Sequence, residues 1–138
     1  MESLPIPYQK SVCLTVGSLV KIKGNFQPHF AKNPELVVDF CVSPVEGSDI
    51  AFHFQVYTNN KVEMNSFQDR TWREKVTASS APFVIEQPFE LRFLVQEKEY
   101  EVFVNNKSTY LFAHRMPAHS VKMLEVRGDI VLTSVDVC

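Results

Sequence analysis

The sequence predicts an all-β fold of two antiparallel sheets packed as a sandwich, and three observations support this prediction. Apolar and polar residues alternate with a period of two in several segments. Two asparagine pairs, Asn59-Asn60 and Asn105-Asn106, stand between such segments, where tight turns require residues that tolerate positive φ. No stretch of more than ten residues has the periodicity of an amphipathic helix. Short strands with one polar and one apolar face are typical of antiparallel sandwiches.

The strands are expected where this alternation recurs along the chain. The first two cover 35–42 and 49–57, and a third covers 61–65, with Val62 and Met64 turned inward. Further alternation predicts strands within 89–95, 100–104 and 129–137. In the second strand the expected inward residues are Ile50, Phe52, Phe54 and Val56, and the expected outward residues are Ala51, His53, Gln55 and Tyr57.

Length and charge narrow the class of protein. A chain of 138 residues is expected to form one domain, 1–138, with a core of its own. A net charge of −2 predicts neither a nucleic-acid partner nor an anionic membrane partner. No apolar run is long enough to span a bilayer, so membrane insertion is not expected. The first residues lack a basic and apolar leader, which predicts synthesis in the cytosol.

Cysteine and histidine spacing predicts neither a metal nor a cofactor. Cys13, Cys41 and Cys138 are too few and too scattered for a zinc site or a disulfide framework. His114 and His119 are five residues apart, which suits no shared ligand face. No nucleophile signature is present, so we do not expect an enzyme. Cys13 and Cys41 are expected to be buried or half-buried, whereas Cys138, at the chain end, is either exposed or packed on the last strand.

One outward face gathers the residues that carry the functional hypothesis. Period-two spacing puts His53, Gln55 and Tyr57 on one side of one strand and Asn65 on the same side of the next. Trp72 follows at or near the start of a third strand. An indole offers a flat apolar platform for a pyranose ring, and polar side chains take its hydroxyl groups. Each residue also has a simpler interpretation, since a single Trp is more often a core residue and a strand His a surface residue.

These residues resemble the signature of the galectin family, H-x-N-x-R, V-x-N and W-x-x-E-x-R. The stretches that carry the resemblance are His53-Phe54-Gln55, Val62-x-x-Asn65 and Thr71-Trp72, with Phe112-Ala113-His114-Arg115 and Arg127-Gly128-Asp129-Ile130 further along. The resemblance implies a galectin-type jelly-roll sandwich without a cofactor that binds β-galactosides. It also implies that the His bonds the axial hydroxyl of galactose, that the second Asn shares the next hydroxyl, and that the Trp stacks beneath the ring.

Four of the seven signature positions depart from the family. The first Asn is Gln55, the first Arg is Tyr57, the Glu falls on Lys75, and the second Arg falls on Thr77. Glu74 lies one position early, where a local bulge would be needed to restore its role. Losing two charge-assisted hydrogen bonds of ~1.5–3 kcal/mol each weakens binding on the order of 100-fold or more.

Two functions therefore stay open. The first is a lectin that binds β-galactoside-related glycans through a weakened site. The second is a galectin-fold module for protein interaction or self-association without significant galactoside binding. Arg115 is interpreted as a structural residue whose charge is held in the turn before Pro117. The resemblance also implies a homodimer and a location in cytoplasm, nucleus or, by non-classical secretion, outside the cell.

Overall fold

The computed structural model describes residues 3–27 and 32–138 and confirms the sandwich of two antiparallel sheets. Its seven-stranded sheet has the order β1-β11-β3-β4-β5-β6, with β7 also paired to β5. Its five-stranded sheet has the order β10-β9-β8-β2-β12. The strands are β1 Tyr8–Ser11, β2 Leu19–Phe26, β3 Glu35–Cys41, β4 Ile50–Tyr57, β5 Lys61–Gln68, β6 Thr71–Trp72, β7 Val76–Ala78, β8 Phe89–Val95, β9 Glu99–Val104, β10 Lys107–Ala113, β11 Met123–Gly128 and β12 Ile130–Val137. Within the described ranges the one helical element is a 3₁₀ turn, Ala118–Ser120.

Aromatic rings from both sheets fill the core. Phe52 of β4 stacks on Tyr100 of β9 with ring centroids 4.7 Å apart, and Phe40 of β3 meets Phe93 of β8 at 5.2 Å. All four side chains are at most 1% exposed. Burying one such side chain contributes about 1.5–3 kcal/mol, so this cluster anchors the two sheets to each other. The opposite face of the seven-stranded sheet is left free for polar residues.

A β-bulge in β4 corrects the predicted orientation of two residues. Phe40 pairs with Phe52 and Cys41 with Ile50, so Ala51 is the extra residue between the two pairs. Ala51 is 1% exposed and belongs to the core, whereas Ile50 lines a surface groove together with Cys41. An inserted residue reverses the sides on which its neighbours lie. The predictions for Ile50 and Ala51 were therefore wrong, while the alternation from residue 52 onward was right.

Residues with positive φ close the tight connections. Asn60, Asn105 and Asn106 have φ of 78°, 50° and 70°, as the two asparagine pairs predicted. Gly128, the last residue of β11, has φ of 135°, and a Cβ there would overlap the carbonyl oxygen of Glu35. Only glycine fits this position, because both the backbone angle and the close approach exclude a side chain.

The cysteines lie in three different environments. Cys41 is buried, as expected, and burial followed by the charges of Asp39 and Glu125 raises its pKa to about 12. Cys13 is exposed, so its expected burial was wrong, because it follows β1 in an irregular segment at the edge of the sheet. Cys138 is exposed, although its backbone N–H still donates to the carbonyl of Leu19.

Candidate functional site

Cross-strand register brings the polar residues of β4 and β5 into a groove. His53 pairs with Asn65 and with Asp39 of β3, and Gln55 pairs with Glu63. Directly paired residues lie on the same side of an antiparallel sheet. The groove has a volume of about 510 Å³ and is lined by His53, Gln55, Glu63, Asn65, Trp72, Arg73, Lys75 and Arg127.

Trp72 is the large apolar surface of this groove. It pairs with Phe67 across β5 and β6, and the two ring centroids lie 5.0 Å apart. The His53 ring lies 4.7 Å from the indole, inclined at 61°. Two neighbouring rings thus fix the indole, yet 48% of Trp72 is still exposed. A fixed, half-exposed indole is able to stack against an apolar ligand surface with little loss of side-chain entropy.

The orientation of the His53 ring is set by a buried carboxylate. Nδ1 of His53 lies 2.5 Å from Oδ1 of Asp39, which is 2% exposed. The other oxygen, Oδ2, accepts a 2.6 Å hydrogen bond from Arg127, which also donates to Glu125 at 2.8 Å. Burial acts to lower the pKa of Arg127, but the hydrogen bond and charge of Asp39, with Glu125, outweigh it and raise that pKa. Asp39 therefore holds Nδ1, and the groove side of the ring is Nε2.

Gln55 contacts the ring nitrogen that a ligand would need. Oε1 of Gln55 lies 3.3 Å from Nε2 of His53, and the amide nitrogen of Gln55 donates to Glu35 at 2.8 Å. Glu35 pairs with Tyr57 at the end of β4, so it anchors the glutamine from the far side. A hydroxyl group that binds Nε2 of His53 must first displace the side chain of Gln55.

Asn65 is oriented by backbone and by an arginine distant in sequence. Its Nδ2 donates to the carbonyl of Arg73 at 3.1 Å, and its Oδ1 accepts from the backbone N–H of Ser66 at 2.8 Å. Arg115 donates to the same Oδ1 at 3.1 Å and to the carbonyl of Glu74 at 2.6 Å. The oxygen of Asn65 is thereby engaged, which leaves one N–H of its amide for a ligand.

Arg115 thus supports the groove itself and not merely its own turn. This role could not be predicted from the sequence, because fifty positions separate Arg115 from Asn65. No local pattern signals a contact across that distance. The guanidinium also lies 4.7 Å above the ring of Phe112, which limits its conformations.

Glu63 is a second residue that the sequence analysis did not single out. Its carboxylate accepts hydrogen bonds or ion pairs from Tyr57 at 3.1 Å, Lys61 at 3.3 Å and Lys75 at 3.3 Å. Burial acts to raise the pKa of Glu63, but these three donors together lower it. Burial and then the Glu63 bond raise the pKa of Tyr57 to about 12. The outward position of Glu63, opposite Gln55, was the sequence feature that could have indicated its place in the groove.

The predicted site residues divide into two groups. Five of them line the groove together: His53, Gln55, Asn65, Trp72 and Lys75. Tyr57 is outside that lining and reaches it only through its bond to Glu63. Glu74 lines a separate depression with Gln68, Arg73 and Arg115. Of the two candidates, Lys75 therefore lines the groove with Trp72, and Glu74 does not.

Two further features of the described residues concern metals and membranes. Residues 3–27 and 32–138 contain no group of three or more His, Cys, Asp or Glu that could hold a metal ion. None of the helices among these residues is long and apolar enough to cross a membrane.

Comparison with known proteins gives consistent relationships over the whole chain. Residues 5–137 match the family of galactoside-binding lectins. The chain is 46% identical to human galactoside-binding soluble lectin 13 over 138 residues, covering 100% of this chain and 99% of the relative. It is 42% identical to human galectin-16, covering 98% and 95% of the two chains. The structure of sheep galectin-11 in complex with glycerol superposes with a TM-score of 0.94 at 54% identity, covering 99% and 100%.

Proposed function

The chain belongs to the galactoside-binding lectin family, the galectins, and from this premise we propose that it binds β-galactoside-related glycans in the groove formed by His53, Asn65 and Trp72. The single observation that carries the proposal is the half-exposed indole of Trp72, fixed beside His53 and on the same groove as Asn65. Residues 1–138 act in this proposal as one carbohydrate-recognition domain.

Each of the three residues has a distinct part in binding. The indole of Trp72 stacks against the C–H face of the sugar ring. Nε2 of His53 is the ring nitrogen that hydrogen-bonds a sugar hydroxyl, because Asp39 already occupies Nδ1. Asn65 donates its remaining amide N–H to a neighbouring hydroxyl. Binding by stacking and hydrogen bonding involves no bond breaking, so the protein acts as a lectin and not as an enzyme.

Affinity for simple galactosides is proposed to be weak. Positions 57 and 77, which are arginines in the family signature, carry Tyr57 and Thr77 and supply no bidentate donor. The side chain of Gln55 also competes with the ligand for Nε2 of His53. Lys75, which lines the groove, places a donor where the family signature has an acceptor. The site therefore retains the three residues to which the resemblance assigns a sugar contact and differs from the family at the other four signature positions.

A glycan array tests the proposal with wild type, Trp72→Ala and Trp72→Phe side by side. The wild type is expected to bind galactose-terminated glycans, Trp72→Ala to lose that binding, and Trp72→Phe to retain part of it through a smaller ring. Thermal unfolding of each variant provides the control, since Trp72 lies at the surface and its replacement leaves the core intact. Equal binding by wild type and Trp72→Ala would exclude this groove as the sugar site.

The hydrogen bond between Gln55 and His53 also favours the second candidate function, a galectin-fold module for protein interaction or self-association. A groove that satisfies its own hydrogen-bonding groups gains less from a sugar hydroxyl. If the protein has this second function, the wild type is expected to bind no glycan on the array. Trp72→Ala is then also expected to disrupt a protein contact that pull-down from the native source detects.

We further propose a homodimer, because a single-site lectin cross-links glycans only when its site is doubled. Light scattering at micromolar and higher concentrations is expected to give twice the monomer mass. A monomer throughout that range would exclude the homodimer.

By the resemblance to galectins, the proposed locations are cytoplasm, nucleus and, through non-classical release, the cell exterior. Fractionation of cells with a chain-specific antibody tests these locations.

A further inference from the structure

Basic side chains dominate the charged lining of the groove. Among the described residues its charged members are one acid, Glu63, and three bases, Arg73, Lys75 and Arg127. The chain as a whole has a net charge of −2. The excess of bases is therefore confined to the side chains that line the groove, since Arg127 and Arg73 contact the acids Asp39, Glu125 and Asp69 just outside the lining.

The charge of Arg127 is outweighed by its two acidic partners, whereas the charge of Glu63 is outweighed by two lysines. Arg127 donates to the buried Asp39 at 2.6 Å and to Glu125 at 2.8 Å. The carboxylate of Glu63 is shared by Lys61 and Lys75, each at 3.3 Å. Two ammonium groups against one carboxylate leave one positive charge in excess. Because Lys61 does not line the groove, that excess faces a ligand through Lys75.

Lys75 retains donors for a ligand. An ammonium group has three N–H donors, and among the described residues Lys75 uses one of them, on Glu63. Its side chain is 54% exposed, so the free donors reach the groove. Because Glu63 already accepts from three groups, it has little remaining capacity to accept a ligand hydroxyl. A ligand group at this end of the groove therefore meets hydrogen-bond donors and has to supply acceptor atoms.

Arg73 adds a second cation on the same rim. It donates to the carbonyl of Gln68 at 3.1 Å, and its contact with Asp69 is 3.4 Å long. The side chain of Asp69 is 91% exposed, so solvent and salt screen that ion pair. Trp72, Arg73 and Lys75 thus combine a stacking surface and two weakly compensated cations within four positions of the chain.

We propose, resting on the proposed function above, that the groove prefers galactosides bearing an anionic substituent, a sulfate ester or a carboxylate. The sugar ring stacks on Trp72, and the substituent accepts hydrogen bonds from Lys75 with Arg73 beside it. Both substituents present the same chemistry, oxygen atoms that share one negative charge, which an ammonium binds as a point charge. A neutral galactoside uses Trp72, His53 and Asn65 and leaves the donors of Lys75 and Arg73 to water.

Calorimetry with three probes tests this preference: lactose, lactose sulfated on its galactose residue, and sialyl-lactose. The wild type is expected to bind at least one anionic probe about tenfold more tightly than lactose. The sulfated and sialylated arms identify which oxyanion is preferred. Raising the salt concentration from about 50 mM to about 500 mM is expected to reduce the preference, because the cations are exposed.

Two lysine variants locate the effect. Lys75→Met is expected to reduce the ratio of anionic to neutral affinity to about one. Lys107→Met removes the same charge from β10 in the other sheet and is expected to leave the ratio unchanged. A ratio of one in the wild type, or a ratio that survives Lys75→Met, overturns the inference. The wild type itself separates the two proposals: binding none of the probes contradicts the lectin function, whereas equal binding of all three contradicts only the anion preference.

Discussion

The contact between Gln55 and His53 leads to a specific prediction about affinity. Oε1 of Gln55 lies 3.3 Å from Nε2 of His53, and Glu35 holds the other end of the amide at 2.8 Å. Gln55→Asn shortens the side chain by one methylene, so a single amide no longer spans from Glu35 to His53. Gln55→Ala removes the amide altogether. Both variants release Nε2 of His53 for a ligand hydroxyl.

The expected gain follows from the bond that the ligand no longer has to displace. A neutral hydrogen bond contributes about 0.5–1.5 kcal/mol net, and a length of 3.3 Å places this one at the weaker end of the range. About 0.5–1 kcal/mol corresponds to a twofold to fivefold gain in affinity for lactose. The free energy of unfolding is expected to change by less than about 0.5 kcal/mol, as for other surface substitutions.

Calorimetric titration of lactose into wild type, Gln55→Asn and Gln55→Ala measures this gain. A gain in both variants shows that release of His53 is sufficient. A gain in Gln55→Asn alone shows that the shorter amide makes a new contact with the sugar. Unchanged or weaker binding in both variants refutes the reasoning, because the glutamine then does not compete with the ligand.

Three further predictions concern stability and redox chemistry. Gly128→Ala is expected to lower the free energy of unfolding by about 3 kcal/mol or more, because φ at this position is 135° and the new Cβ would meet the Glu35 carbonyl. Gly17→Ala is the control, since a Cβ at Gly17 meets open space. Chemical denaturation of both variants is expected to show the smaller loss for Gly17→Ala. Glu63→Gln is expected to lower stability at neutral pH. The lowered pKa of Glu63 means that its contribution is complete above about pH 4.5 and is lost as pH falls through the folded-state pKa, so unfolding curves of the two proteins should converge in acid. The exposed Cys138 is expected to form an intermolecular disulfide on air oxidation; a dimer band on non-reducing electrophoresis should vanish in Cys138→Ser, and its persistence would assign the bridge to another cysteine.

The sandwich could be predicted because its signal is local. Residues of β8 and β9 alternate strictly enough that each side chain's face follows from its position in the strand. The bulge at Ala51 could not be predicted in this way, since it depends on how β4 registers with two neighbouring strands at once. A period-two pattern contains no information about where an extra residue interrupts that register.

The groove residues likewise divide into those whose place local spacing predicts and those whose place it does not. The positions of His53, Gln55 and Asn65 on one face follow from period-two spacing within a single hairpin. The contacts of Arg115 could not be inferred, because chain folding alone brings it to Asn65. The absence of Glu74 from the groove lining likewise depends on the path of the short segment between β6 and β7, which has no repeating pattern.

The central claim is that a sugar ring stacks on Trp72, and the chain's single tryptophan makes this directly measurable. Trp72 is 48% exposed, so acrylamide is expected to quench its fluorescence efficiently in the free protein. Titration with lactose and with lactose sulfated on its galactose is expected to shift the emission and to protect the indole from acrylamide, whereas mannose at the same concentration is expected to do neither. Binding detected by calorimetry with no change in the fluorescence or quenching of Trp72 would contradict the claim.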